Sequence, residues 1–111
     1  MRNKYHNKKV EFDGIKFDSK KEMNRYKELK ILERAGMIKD LELQPAFILI
    51  PSFKKNGKTY RKSSYIADFK YFDVEQEKIV VEDTKGYLTE VYKLKKKLFE
   101  YKYEDLEIKE L

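Results

Sequence analysis

Apolar and polar residues alternate along "VEFDGIKFDS", the period-two signature of strands. Asp13-Gly14 at its centre predicts a tight hairpin turn. The period then changes. Residues from about Ser19 to Ala35 carry helical spacing, with "SKKE" as a capping box in which Ser19 is the N-cap and Glu22 follows three residues on. Gly36 is a suitable stop. "MIKDLELQPAFILIP" reads as one or two strands, with Pro45 limiting regular pairing inside it. "FKKNGKTYR" carries a second turn signal at Asn56-Gly57. "SSYIADFKYFD" and "KIVVEDTKG" read as neighbouring strands joined by the acidic turn "VEQE". After Gly86, "TEVYKLKKKLFEYKY" is helical, with Val91, Leu94, Leu98 and Tyr101 on one stripe. "LEIKEL" is a short final strand.

The order is hairpin, helix, three or four strands, helix, strand. It predicts a single α/β or α+β domain over 1–111, with a central mixed, largely antiparallel sheet flanked by two helices. A loose basic arm occupies about residues 1–9. No internal repeat or long linker divides the chain.

Composition changes the picture in three ways. The charged fraction is 41%, but nine Tyr and seven Phe supply the aromatic surface that disordered chains lack. The net charge of +6 favours phosphate-bearing partners. The absence of cysteine excludes disulfides, thiolate metal sites and a cysteine nucleophile. The longest apolar stretch, around "PAFILIP", is too short to span a bilayer, which predicts no membrane association and a cytoplasmic location.

Four residues are candidates for chemistry: Glu22, Asp68, Asp83 and Lys85. Residues i and i+2 of a strand share a face, so Asp83 and Lys85 point one way and Glu82 and Thr84 the other. The spacing is weak by itself, because acid-x-Lys also occurs at Asp18-Lys20, Glu28-Lys30, Glu100-Lys102 and Glu107-Lys109. On spacing alone, an ion pair at a strand end is the better explanation. Context separates Asp83-Lys85, which ends the apolar run Ile79-Val80-Val81 and precedes a glycine.

In "YIADFKY", alternation puts Tyr65, Ala67, Phe69 and Tyr71 on one face and Ile66, Asp68 and Lys70 on the other. A four-residue turn at 74–77 would set Asp73 opposite Lys78 and Asp68 opposite Asp83. Carboxylates roughly 5 Å apart at Cβ repel unless neutralised, and a divalent cation with oxygen ligands does so. Glu22 shares a helical stripe with Tyr26 and Leu29, so capping and a site role have equal claims on it. Such a set suits phosphodiester hydrolysis. Asp68 and Asp83 would hold the metal, Glu22 a second ion or a water, and Lys85 the developing charge. His6, in the basic arm, reads as a surface residue.

Basic residues fit a polyanion. The hairpin carries Lys54, Lys55, Lys58, Arg61 and Lys62, with Tyr60 available to stack on an unpaired base. Lys93, Lys96 and Lys97 lie on one side of the last helix. A solvated charged face is the more common meaning of any single run of this kind.

The acids, in this order, resemble the PD-(D/E)XK nucleases: Glu22 in "SKKEMNRY", Asp68 in "YIADF", and Asp83 with Lys85 in "VEDTKG". Ala67 departs from the proline of the superfamily's name. More narrowly, "FDGIKFDSKKE", "LQPAF", "YIADFKY" and "VVEDTKG...YKLKKKLF" look like a small family of phage and prophage endonuclease-like proteins. The resemblance implies a restriction-endonuclease-like core, Mg²⁺ or Mn²⁺ dependence and a DNA substrate. It also implies a peripheral site role for Gln44, with Glu82, Tyr87 and Lys93 as further accessory candidates. So small a nuclease has little room for a sequence-reading domain. Structure-specific cutting of branched or junction DNA in phage recombination or replication is therefore expected, with a homodimer like those of junction resolvases. The rivals are a non-catalytic nucleic-acid-binding module and a phage accessory protein acting through protein contacts.

Overall fold

The computed structural model of the protein describes residues 9–84 and 89–111. The expected basic arm lies outside them apart from Lys9, as does His6. Strands β1 (Val10–Phe12) and β2 (Ile15–Phe17) form the expected hairpin. Asp13 and Gly14 both take positive φ, 58° and 77°, as a type I′ turn requires.

Helix α1 (Lys20–Arg34) follows. Ser19 caps it, its hydroxyl accepting from the Glu22 N–H at 3.1 Å. The Glu22 carboxylate returns to the N–H of Asp18, at 3.0 Å, one residue earlier than in a standard capping box. Gly36 ends the turn with φ 78°.

The segment around Pro45 forms two strands, β3 (Ile38–Leu43) and β4 (Ala46–Ile50), broken at Gln44, whose φ is 50°. Then come β5 (Phe53–Lys55) and β6 (Lys58–Tyr60), joined by the Asn56-Gly57 turn. The expected single strand over "SSYIADFKYFD" is also two, β7 (Ser63–Ile66) and β8 (Phe69–Asp73). Strand β9 (Lys78–Asp83), helix α2 (Glu90–Lys102) and β10 (Ile108–Glu110) complete the described chain.

The central sheet has the order β10-β9-β8-β3. Strand β10 is parallel to β9, and the other pairings are antiparallel. With the helices this is an α+β fold around a mixed, largely antiparallel sheet. The β3–β8 pair continues into a two-stranded ribbon, β4–β7. Both strands of the pair break at the same level, and two hydrogen bonds hold the break together: Gln44 N–H to Asp68 O at 2.9 Å and Ala67 N–H to Pro45 O at 3.1 Å.

A core lies on each side. Leu29 and Tyr26 of α1 pack with Phe17, Ile38, Phe69 and Tyr71. Tyr92 and Phe99 of α2 pack with Phe47, Leu49, Tyr65, Ala67, Val81 and Ile108. Two expectations are corrected here. Tyr65 and Ala67 do not share a face with Phe69 and Tyr71, because the strand is interrupted between them and alternation does not carry across the break. The stripe of Val91, Leu94, Leu98 and Tyr101 is not the buried face of α2 either. Val91, Leu94 and Tyr101 are exposed and Leu98 is half-buried, while Tyr92 and Phe99 are buried. Large rings decide the rotation. Phe99 meets Phe47 edge-on at 4.9 Å and Tyr65 at 5.6 Å. Among the described residues no helix is long and apolar enough to cross a membrane.

Candidate functional site

Strand β9 delivers two acids to opposite faces. Glu82 pairs with Phe69 in the β8–β9 ladder and points toward α1. Arg25 of α1 grips it with both fork nitrogens, Nε to Oε1 at 2.8 Å and Nη2 to Oε2 at 2.6 Å. The Tyr71 hydroxyl donates to the same Oε2. Glu82 is wholly buried, and charge-assisted bidentate bonding is what makes that tolerable. Burial, and then the hydrogen bond to Glu82, raise the Tyr71 pKa, so its phenol stays a donor. Glu82, considered for an accessory role, has both oxygens engaged in this clamp.

Asp83 faces the other way. Its Oδ2 accepts from the Tyr65 hydroxyl at 2.5 Å, and it is almost fully buried. Desolvation first, then the bond to Asp83, raise the Tyr65 pKa well above that of an ordinary phenol. Tyr65 is therefore a fixed donor that holds the Asp83 carboxylate. The Asp83 backbone is held from the far side, where it pairs with Glu110 of β10 and accepts from the Leu111 N–H at 3.0 Å.

The expected β8–β9 register holds from Asp73↔Lys78 to Phe69↔Glu82. It changes at Asp68. The Asp68 N–H donates to Glu82 O at 3.0 Å, a slip of one residue, so Asp68 and Asp83 are not a simple cross-strand pair. The cause is the break at residues 67 and 68, where the chain leaves β4 and joins the central sheet. The Asp68 carboxylate instead reaches the end of β9. Its Oδ2 accepts from both the N–H and the Oγ1 of Thr84, each at 2.7 Å. Asp68 thus meets the residue directly after Asp83.

Glu22 completes the set from α1. It is buried with Tyr26 and Leu29 on one face of the helix, as the spacing predicts. Its pKa is pushed up to about 7, by burial first and then by the Asp68 charge; a hydrogen bond to Asp68 adds to the rise. Glu22 therefore caps the helix and also confronts Asp68.

The remaining candidates are scattered. Gln44 has an exposed side chain, and its contribution here is the backbone bond to Asp68. Lys93 is exposed and pairs with Glu90 at 3.4 Å. Lys96 pairs with Glu110 at 3.3 Å, and Lys97 is exposed. The hairpin residues Lys54, Lys55, Lys58, Tyr60, Arg61 and Lys62 are all exposed. Lys85 and Tyr87 lie outside the described residues.

Tyr65, Thr84 and Arg25 are site-building residues that alternation alone does not find. Tyr65 is assigned to the wrong face because of the strand break. Thr84 lies past the last residue of β9, where alternation lapses. Arg25 lies one helical turn after Glu22, so one turn of α1 meets Glu82 through Arg25 and Asp68 through Glu22.

The donor chemistry of Glu22, Asp68 and Asp83 is all oxygen and anionic, which fits a hard cation such as Mg²⁺ or Mn²⁺. Among the described residues no three acids or histidines form a ready-made ligand group. Mg²⁺ commonly uses one or two carboxylates and keeps several waters, so two carboxylates are chemically adequate for it.

A family described as "Protein of unknown function (DUF1064)" has a model that matches residues 2–110. No curated protein and no solved structure matches the chain.

Proposed function

The chain belongs to the DUF1064 family, and from that premise we propose that it is a metal-dependent endonuclease hydrolysing DNA phosphodiester bonds, in the manner of the PD-(D/E)XK nucleases. One observation carries this reading. Two buried carboxylates from distant parts of the chain, Glu22 and Asp68, face each other, and burial first, then the Asp68 charge, raises Glu22 to about 7, beside the strand end that presents Asp83. Stability alone does not favour such an arrangement; perturbed acids of this kind cluster at functional sites.

Asp68 and Asp83 would hold Mg²⁺ or Mn²⁺, which supplies Lewis-acid polarisation of the phosphodiester. Thr84 fixes the direction of Asp68 and Tyr65 that of Asp83. Glu22, with a pKa close to neutral, is matched to taking a proton from the attacking water. Lys85 is assigned the charge that develops on the phosphoryl oxygens. A branched or junction substrate and a two-fold dimer belong to the same proposal.

The test is a cleavage panel of single-stranded, duplex, flap and four-way-junction DNA, with Mg²⁺, Mn²⁺ or EDTA. Metal-dependent cutting is expected, reduced by Asp83→Asn and by Lys85→Ala. If no substrate is cut with either metal, the chain is not this enzyme. DNA binding without cutting would identify a non-catalytic module.

A further inference from the structure

The β5–β6 hairpin is not needed by either core. Every residue from Pro51 to Ser63 is exposed, and its two strands pack substantially only on each other. Its composition is unlike the rest of the chain. Acids make up 20 of 111 residues, yet none occurs from Leu43 to Ala67, where Lys54, Lys55, Lys58, Arg61 and Lys62 all fall. Among the described residues none of these five cations enters an ion pair.

Register sharpens the point. Lys55 and Lys58 are directly opposed, on the same face as the opposed pair Phe53 and Tyr60 two positions along. Like charges facing each other across a ladder destabilise it, and no acid in the hairpin relieves them. An external polyanion does.

The rings stiffen the ribbon. Phe53 and Tyr60 stack on each other with centroids 4.8 Å apart and planes 11° from parallel. The Lys58 ammonium lies over Tyr60 at 5.1 Å from its centroid. Each ring lends one face to the other as a brace, and both remain exposed. Around them the hairpin offers cations, which read phosphates.

We infer that the β5–β6 hairpin is a duplex-binding arm that enters a DNA groove beside the cutting site. The inference rests on the nuclease reading for its substrate. A two-stranded ribbon fits the major groove, about 12 Å wide and 8.5 Å deep, and three-residue strands reach roughly 10 Å. The arm is also set at a distance. Strand β7 leads from it back to the Asp68 break, and five residues of extended chain span roughly 16 Å. At about 3.4 Å per base pair, the arm meets duplex about five base pairs from the acids.

The experiment is fluorescence anisotropy in EDTA, over a potassium chloride series, with a labelled 20-base-pair duplex, a single strand of equal length, and poly-glutamate. Wild type is compared with Lys55→Ala/Lys58→Ala and with Lys16→Ala, an exposed lysine of β2. The double variant should bind duplex about tenfold more weakly, with a log–log salt slope shallower by about 1.8, the value for two lost phosphate contacts. Lys16→Ala should keep the wild-type slope. An unchanged slope in the double variant overturns the arm, as does tighter wild-type binding to single strand or to poly-glutamate than to duplex. In cleavage, trimming the duplex on the arm's side below about five base pairs should slow wild type at least tenfold and leave the double variant unaffected. The two readings fail separately. Ribbon-dependent duplex binding without any cutting sinks the nuclease and keeps the arm; cutting with an unchanged slope sinks the arm and keeps the nuclease.

Discussion

Glu22 carries two obligations, and its protonation reports on both. It accepts from Asp18 N–H at the start of α1 and it faces Asp68. Its folded pKa, about 7, lies above its unfolded value of 4.5. Its contribution to stability is therefore full below about 4.5 and is lost as pH rises through about 7. Glu22→Gln keeps the capping oxygen and removes the charge. Thermal melts should show the variant gaining on wild type between pH 5 and pH 8.5, by about 4–8 °C for each kcal/mol relieved. A gap independent of pH would mean that Glu22 does not confront Asp68. The same melts test the proposed ion. Mg²⁺ should raise the wild-type Tm near pH 7 and leave Asp68→Asn and Asp83→Asn unmoved, while each variant loses roughly 100-fold or more in cleavage rate. Much of this was legible residue by residue. Tyr26 and Leu29 place Glu22 on a buried face, and alternation separates Glu82 from Asp83. Tyr65 was not legible, because period-two reasoning assumes an unbroken strand and the chain changes partners between Ala67 and Asp68.

Between elements, the Arg25–Glu82–Tyr71 clamp is what sets α1 on the sheet. It lies one turn from Glu22, so it also fixes how Glu22 meets Asp68. Removing the cation alone strands a fully buried carboxylate. Arg25→Met should cost about 3–5 kcal/mol in urea unfolding. The paired change Arg25→Met with Glu82→Gln should recover a good part of that loss, because it removes the stranded charge as well. If the double variant were no more stable than the single, the clamp would owe little to charge. Turns and caps at this scale were legible because their chemistry is local: Asp13-Gly14, Asn56-Gly57 and Ser19 act on their neighbours. The rotation of α2 was not. Val91, Leu94 and Tyr101 have the right spacing, but the partners that choose a face, Phe47 and Tyr65, are distant in sequence. Aromatic bulk at Tyr92 and Phe99 outweighs the neater stripe.

For the molecule as a whole, the mixed sheet separates two cores and gathers the acids at the level where β7 ends and β8 begins. The parallel β10 closes the edge next to Asp83, with Ile108 buried against Val81 and Phe99. Ile108→Ala should cost about 2–5 kcal/mol by urea unfolding, and it should also shrink the Mg²⁺-induced rise in Tm, since the Asp83 backbone depends on that edge. The general architecture was legible from the order of periodic segments. The two coincident breaks were not, because only Pro45 announces one of them. The β9–β10 pairing also has a temporal meaning. Synthesis delivers Glu22, then Asp68, then Asp83, but the strand that holds Asp83 from outside is made only when residues 108–110 appear. At about 5–20 residues per second this is roughly 1–5 s after Asp83 itself. A nascent chain therefore carries all three acids before residues 108–110 arrive to fix the strand that presents Asp83.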